Sequence, residues 1–300
     1  MDITPTTRVL VTGASGILGW TLCKMLASRC EVAGACFSHP CVPEDTKSVR
    51  IDLGDPASIK SEVDRLKPEI IIHAGAITDP DKCETSPEAA FRVNFQGTHD
   101  LARLAAERGA RLVYISTDLV FDGKRGDYRE EDVPHPLSIY GVSKLRGEEA
   151  VSECCKDALI VRSTLIYGLG SPVSKTFLGR LLDNLDAGTR VQLFTDQKRN
   201  PVLVDELAAA VVLAIERDIS GLYHIGGSEP ASRCEFGRRV CHVFGLDERL
   251  IVPVTMDDAV FPARRPLDAT LNTGKFARDA GFATSDLFTG LTKVKHALSS

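Results

Sequence analysis

A chain of 300 residues, 43% hydrophobic and without a biased tract, can bury a sizeable core as one large domain or as a nucleotide-binding domain carrying a smaller lobe. Its net charge of −5, with acids and bases intermixed, marks neither a nucleic-acid nor a membrane surface, and its apolar runs fall far short of a bilayer span. Nine scattered cysteines without a Cys-x-x-Cys pair, seven histidines at no metal-ligand spacing and no signal-peptide pattern lead us to expect free thiols in a reducing cytoplasm and no metal site.

In chain order, residues 8–12 form a short apolar run of the kind buried in a parallel sheet. Gly13-Ala14-Ser15-Gly16-Ile17-Leu18-Gly19 follows at once, and a helix is expected over 20–28. In such a turn the first glycine permits the tight bend, the second lets a pyrophosphate approach the backbone, and the third lets helix pack on strand. The helix N-terminus then offers free N–H groups and a positive dipole end to phosphates. No Gly-Lys-Ser/Thr ending is present, which excludes a P-loop.

Further strands are expected over 31–37, 48–52, 69–73, 111–116 and 159–162, with a helix over 59–66 and a long one over 86–108 ended by Gly109. A polar loop over 122–136 precedes a helix carrying Tyr140 and Lys144, four residues apart on one face. A phenol titrates near pH 10, and a neighbouring ammonium favours the phenolate, so the pair can act as a general acid or base. Beyond residue 166 helices are expected over 173–185, 204–217 and 233–244, with a strand over 221–225. This alternation predicts an α/β fold, a doubly wound parallel sheet with ligands at the carboxyl ends of its strands. We place a dinucleotide-binding domain at 1–165 and a mainly substrate-binding lobe at 166–300, with segments returning to the sheet.

The glycine turn, Asp52, His73-Ala74-Gly75-Ala76, Asn94, Ser116-Thr117-Asp118 and the Tyr140/Lys144 pair together resemble the extended short-chain dehydrogenase/reductase superfamily, over essentially the whole chain. The run 116–123, the run from Tyr140 through Glu148, and Ala263-Arg264-Arg265-Pro266-Leu267-Asp268 look closer still to dTDP-4-dehydrorhamnose reductases and the related methionine adenosyltransferase regulatory subunit. That resemblance implies a Rossmann-like fold and a reductase of a nucleotide-linked 4-keto-sugar. Thr117 would hydrogen-bond the substrate carbonyl, Tyr140 would deliver the proton, and Lys144 would hold the cofactor ribose and depress the phenol's pKa. Asn94 would be architectural, bridging backbone groups inside the long helix.

Gly13, Ser15, Gly16, Ile17, Leu18, Gly19, Phe37 and Ser38 are the implied dinucleotide contacts, with Asp52 and Leu53 flanking the adenine and Ala74, Gly75 and Ala76 lining the pyrophosphate and ribose side. Thr78, Asp118, Arg162, Tyr167, Arg264 and Arg265 are the implied substrate contacts, the last two meeting phosphates. The competing reading of Arg162 is a strand-end ion pair, and of Arg264 and Arg265 surface solvation or a salt bridge. The segment Cys36-Phe37-Ser38-His39 has no carboxylate to repel a 2′-phosphate, which favours NADPH over NADH. The expected partner is a small nucleotide-sugar, with a homodimer allowed and neither nucleic acid nor membrane.

Leu119 and Leu165 stand where the rhamnose-forming reductases carry aromatics, so the sugar pocket should be less polar. Leu119 also removes the acid that a 4,6-dehydratase needs. A 4-epimerase and a non-catalytic dinucleotide-binding regulatory subunit are the alternative functions.

Overall fold

In the computed structural model, which describes residues 3–39 and 41–299, the chain runs through β1 (Arg8–Thr12), α1 (Ile17–Ala27), β2 (Glu31–Cys36), β3 (Lys47–Arg50), α2 (Pro56–Leu66) and β4 (Ile70–His73). Short helices α3 (Pro80–Thr85) and α4 (Pro87–Phe91) precede a π-helical turn at Arg92–Gln96, α5 (Gly97–Arg108), β5 (Arg111–Thr117), α6 (Ile139–Cys154) and β6 (Leu159–Ser163). There follow β7 (Ile166–Tyr167), α7 (Phe177–Asp186), β8 (Val191–Phe194), β9 (Lys198–Arg199), β10 (Val202–Leu203), α8 (Val204–Glu216) and β11 (Gly221–Ile225). The last elements are β12 (Ala231–Ser232), α9 (Arg233–Phe244), β13 (Ile251–Val254), α10 (Gly274–Ala280) and α11 (Leu287–Ser299). No described helix is long and apolar enough to cross a membrane.

Seven strands pair in the order β11-β6-β5-β4-β1-β2-β3, every pairing parallel. Both faces are covered, which is why Ile70, Ile71 and Ile72 of β4 are all apolar and fully buried. On one face Leu22 and Leu26 of α1 and Val211 and Ile215 of α8 pack on Val9, Val11 and Ile72. On the other, Ile59 and Val63 of α2 and Leu101 of α5 pack on Leu10, Ile71 and Leu112. A third cluster, Leu178, Leu181, Phe236, Val240 and Leu291, stands apart from the sheet. This is the doubly wound α/β fold expected. Its strand order reverses between β1 and β4, which places a crevice at their carboxyl ends.

The expected continuous helix over 86–108 is interrupted at Arg92–Gln96. Buried Asn94 is the physical reason. Its side chain accepts from Ile77 N–H (2.8 Å) and donates to Ile77 C=O (3.0 Å) and Ser143 Oγ (3.1 Å), so it ties the loop after β4 to α6. Helix α3 was not expected. Its signal is Asp79-Pro80, a capping carboxylate that accepts from Asp81 N–H, then a proline in the first turn.

His73 and His224 are both buried, and burial pushes each imidazole from its ordinary value of 6.5 down to about 3. Both therefore fold neutral, while the unfolded chain takes up protons below pH 6.5. The unfolded state binds more protons between about 3 and 6.5, so stability rises with pH across that window and is lost as pH falls. The urea midpoint should be lower at pH 4.5 than at pH 7, and His224→Asn should flatten that slope. An unchanged slope in the variant would show that His224 does not contribute to the acid lability.

Candidate functional site

The crevice is a cavity of about 600 Å³. Its walls come from the carboxyl ends of β1, β4, β5 and β6 and from the segments that cross above them. Of the dinucleotide contacts expected, Gly13, Gly16, Ile17, Leu18, Gly19, Ala74, Ala76, Tyr140 and Lys144 line it. Gly13 has φ +69°, and a Cβ there would stand 2.8 Å from Gly75 Cα. A Cβ at Gly19 would stand 2.2 Å from the Gly13 carbonyl oxygen. Glycine at 13 therefore lets the loops after β1 and β4 approach, and glycine at 19 lets α1 close onto its own turn. No side chain caps α1, leaving its first N–H groups without intrahelical partners at the cavity wall. These features fit a bound pyrophosphate.

The other expected dinucleotide contacts lie around this cavity rather than in its wall. Gly75 backs onto Gly13 and donates its N–H to Thr12 Oγ1 (3.1 Å). The Ser15 carbonyl accepts from the Ser171 hydroxyl, which holds the segment after β7 across the glycine turn. Asp52 accepts from Gly54 N–H (2.8 Å), and Leu53 lines a separate opening with Gly54 and Arg92. Phe37 and Ser38 line another opening of about 540 Å³, which Arg50 also lines. Strand pairing sets Arg50 beside Cys36, and its guanidinium lies 5.4 Å from the Phe37 ring centroid. Arg50 was missed because it sits on the neighbouring strand, outside the segment where a phosphate-binding arginine was sought.

Ser138 caps α6 by accepting from Gly141 N–H (3.3 Å), which fixes Tyr140 and Lys144 in the first turns with both side chains buried. Lys144 Nζ lies 4.1 Å from the Tyr114 ring centroid. Burial pulls its pKa down to about 7, with Glu148 opposing. Lys144 does not depress the phenol as expected. Burial pushes Tyr140 well up instead, a hydrogen bond with Thr117 pulls the other way, and the Asp118 charge adds to the rise. Desolvation outweighs the Thr117 hydrogen bond, so Tyr140 holds its proton. The Thr117 hydroxyl donates to Asp118 Oδ1 (3.0 Å) and accepts from Leu119 N–H (3.2 Å).

Among the expected substrate contacts, Thr78, Asp118 and Arg265 line the cavity. Three others do not. Arg162 lies buried in an ion pair with Glu148 (2.7 Å), the strand-end alternative to substrate binding. Tyr167 is packed edge-on against Phe236 in the lobe core. Arg264 is exposed and outside the lining. Sequence reading missed Arg199 and Arg233, which do line it. Arg199 Nε pairs with Asp118 Oδ2 (2.8 Å), and Arg233 Nε donates to Gln197 (2.9 Å). The only available signal was a pair of basic residues just before helix-like runs, which is too common to select. The hydroxyl of Ser163, also in the lining, is buried without a partner.

Fold and cavity together define a Rossmann-type α/β protein whose glycine turn and strand-end crevice suit a dinucleotide. The chain belongs to the family described as RmlD substrate binding domain, whose model matches residues 7–299. The probable low-salt glycan biosynthesis reductase of Haloferax volcanii is 32% identical over 292 residues, covering 96% of this chain and 97% of that protein. Methionine adenosyltransferase 2 subunit beta of Xenopus laevis is 33% identical over 285 residues, covering 92% and 84%. The crystal structure of dTDP-4-dehydrorhamnose reductase from Bacillus anthracis in complex with NADP superposes with a TM-score of 0.84 at 27% identity, covering 97% of this chain and 99% of that one.

Proposed function

We propose that the chain is an NADPH-preferring reductase of a nucleotide-linked 4-keto-sugar with Tyr140 as proton donor. The observation that carries this reading is that Thr117, Tyr140 and Lys144 open into the same cavity as the uncapped glycine turn. A reduced nicotinamide bound along that turn supplies the hydride. Tyr140, protonated by virtue of its burial, donates to the oxygen of the carbonyl being reduced. Thr117 turns its hydroxyl from Asp118 to the same oxygen, and Lys144 binds the cofactor ribose. Leu119 and Leu165, both in the lining, give the sugar an apolar wall. The likeness to a dTDP-4-dehydrorhamnose reductase supports the substrate class. The test is dinucleotide oxidation by the purified protein with dTDP-4-keto-6-deoxy-sugar. Tight NADPH binding without turnover would sink the reductase reading. The reading carries with it a cytoplasmic location and a division of labour near residue 165 and allows a homodimer, open to fractionation, limited proteolysis and light scattering.

The identity to the adenosyltransferase beta subunit favours one second reading, a regulatory subunit that binds dinucleotide and a partner enzyme. Co-purification with a methionine adenosyltransferase catalytic chain, without ketone-dependent turnover, would select it.

The preference for NADPH rests on Arg50. A guanidinium beside Phe37 and Ser38, with no carboxylate in that segment, can grip a ribose 2′-phosphate. Arg50→Ser should weaken NADPH binding by about 10- to 100-fold, the range for hydrogen bonds to a charged group. NADH binding should be unaffected. Equal loss for both dinucleotides, read by quenching of protein fluorescence, would count against it.

A further inference from the structure

We propose that Arg233 is the anchor for the diphosphate of the substrate, an oxyanion site in the wall of the cavity. The ligand class rests on the reductase reading above; the anion site itself rests on how the four arginines of the lining, Arg180, Arg199, Arg233 and Arg265, are partnered.

Arg180 is exposed to solvent and donates Nη1 to the Lys175 carbonyl (2.6 Å). Two of the others are already engaged. Arg199 gives Nε to Asp118 (2.8 Å), and its two amino groups donate to the carbonyls of Lys198, Leu267 and Pro266. It is a structural brace that holds the 266–267 segment against β9. Arg265 makes two contacts with Asp81, at 2.7 and 3.2 Å, and its guanidinium carbon lies 3.9 Å from the Phe261 ring centroid. Each of these cations has its carboxylate.

Arg233 has none. Among the described residues no carboxylate lies within ion-pair distance of it. Its Nε is oriented by the neutral Gln197 amide, its guanidinium carbon lies 4.7 Å from the Phe177 ring centroid, and its Nη1 is buried without a hydrogen-bond partner. A second observation is independent of the first. Arg233 is the first residue of α9, where the helix dipole disfavours a cation. That helix end is already closed by a capping box in which Ser232 and Glu235 satisfy each other's backbone N–H. The chain thus places, at the wrong end of a helix and in the wall of the cavity that holds Tyr140, a cation with an orphaned donor that shares the Asp118 charge with Arg199 but has no carboxylate in contact. Burial and repulsion from Arg199 pull its pKa down to about 9 against the attraction of Asp118, so it is still charged at neutral pH. Such a group destabilises the empty fold. An entering phosphoryl oxygen removes the cost by matching both the charge and the free N–H.

A purely structural arginine and an anion anchor respond oppositely to neutralisation. Arg233→Gln keeps a polar side chain near Gln197 and removes the charge. With the full chain, UDP, dTDP and inorganic pyrophosphate serve as probes, and uridine serves as the phosphate-free control. In calorimetry the variant should lose about 10- to 100-fold in affinity for the diphosphates, the range for hydrogen bonds to charged groups. NADPH affinity and the weak binding of uridine should be unchanged. Arg233→Lys should recover part of the loss. The thermal midpoint of the ligand-free variant should equal or exceed that of the parent. Unchanged diphosphate affinity in Arg233→Gln, or a lower midpoint without ligand, would overturn the assignment. Binding does not depend on turnover. Diphosphate binding through Arg233 in a protein that never reduces a keto-sugar sustains the inference while the reductase reading fails; a working reductase whose KM ignores Arg233→Gln overturns the inference alone.

Discussion

Replacing Tyr140 with Phe should lower turnover by about 10²- to 10⁴-fold, the usual contribution of a positioned general acid, and leave NADPH affinity within about threefold. The asymmetry follows from how the ring is held. Tyr140 packs with Cys83 and Ala90, and partly with Ile77, Leu119 and Ile139, so phenylalanine fills the same space and only the hydroxyl is lost. That hydroxyl is hydrogen-bonded with Thr117, and burial keeps the proton on it. Comparison of kcat for the two proteins, beside dinucleotide titrations of each, checks both halves. A variant that retains more than a tenth of the parent rate would remove Tyr140 from the chemistry. If the reductase reading holds, Lys144 should set the pH dependence. Its ammonium is the charged form and its pKa is drawn down to about 7, so the cation is lost as pH rises through that value. Because kcat/KM for the dinucleotide reports the free protein, its descending limb should lie near pH 7 and vanish in Lys144→Met.

Much of this site was legible because its chemistry is written in local patterns. Gly13, Gly16 and Gly19 follow an apolar strand directly, and Tyr140 and Lys144 share one helix face, so spacing alone brings each set together. What stayed hidden depends on pairings between distant segments. Arg50 comes to Phe37 only because β3 pairs with β2, and Arg233 meets Gln197 only because β12 pairs with β9. Arg162 shows the converse. Its position at the end of a strand looked like a binding residue, but the acid that neutralises it comes from the second turn past Tyr140, on a helix whose rotation no periodicity fixed in advance. Tyr167 pointed into the lobe rather than the cavity for a similar reason, since Phe236 of α9 offers its ring an apolar partner. Even the long helix over 86–108, well marked by composition, broke where Asn94 found better partners in Ile77 and Ser143.

Glu148 should matter for the fold as much as Tyr140 matters for the reaction. Its carboxylate accepts from Arg162 Nη2 (2.7 Å) and Nε (3.0 Å), and from the Ser116 hydroxyl. The Arg162 guanidinium lies 5.1 Å from the Phe121 ring centroid, and its Nη1 lies 3.5 Å from His224 Nε2. His224 Nδ1 faces the Tyr128 carbonyl at 3.0 Å and so carries the proton, which leaves Nε2 to accept from Arg162. Both members of the pair are buried. Glu148→Ala would therefore strand a guanidinium in the interior, and breaking one partner of a buried pair costs about 3–5 kcal/mol. Replacing both, as Glu148→Leu with Arg162→Met, removes the stranded charge and should recover most of that loss, because apolar substitutes for a buried pair are often neutral or better. Urea unfolding of Glu148→Leu, Arg162→Met and the double variant, beside Glu148→Ala, closes the cycle. If the double variant is as unstable as Glu148→Ala, the network is worth more than its charge balance, and Ser116 and His224 must be counted as members. The pair links α6, which carries Tyr140 and Lys144, to β5 and β6, whose ends carry Thr117 and Ser163. The double variant should accordingly fold yet turn over more slowly than the parent, with kcat reduced more than dinucleotide affinity. A stable double variant with full kcat would mean that packing along α6 alone suffices to aim the phenol.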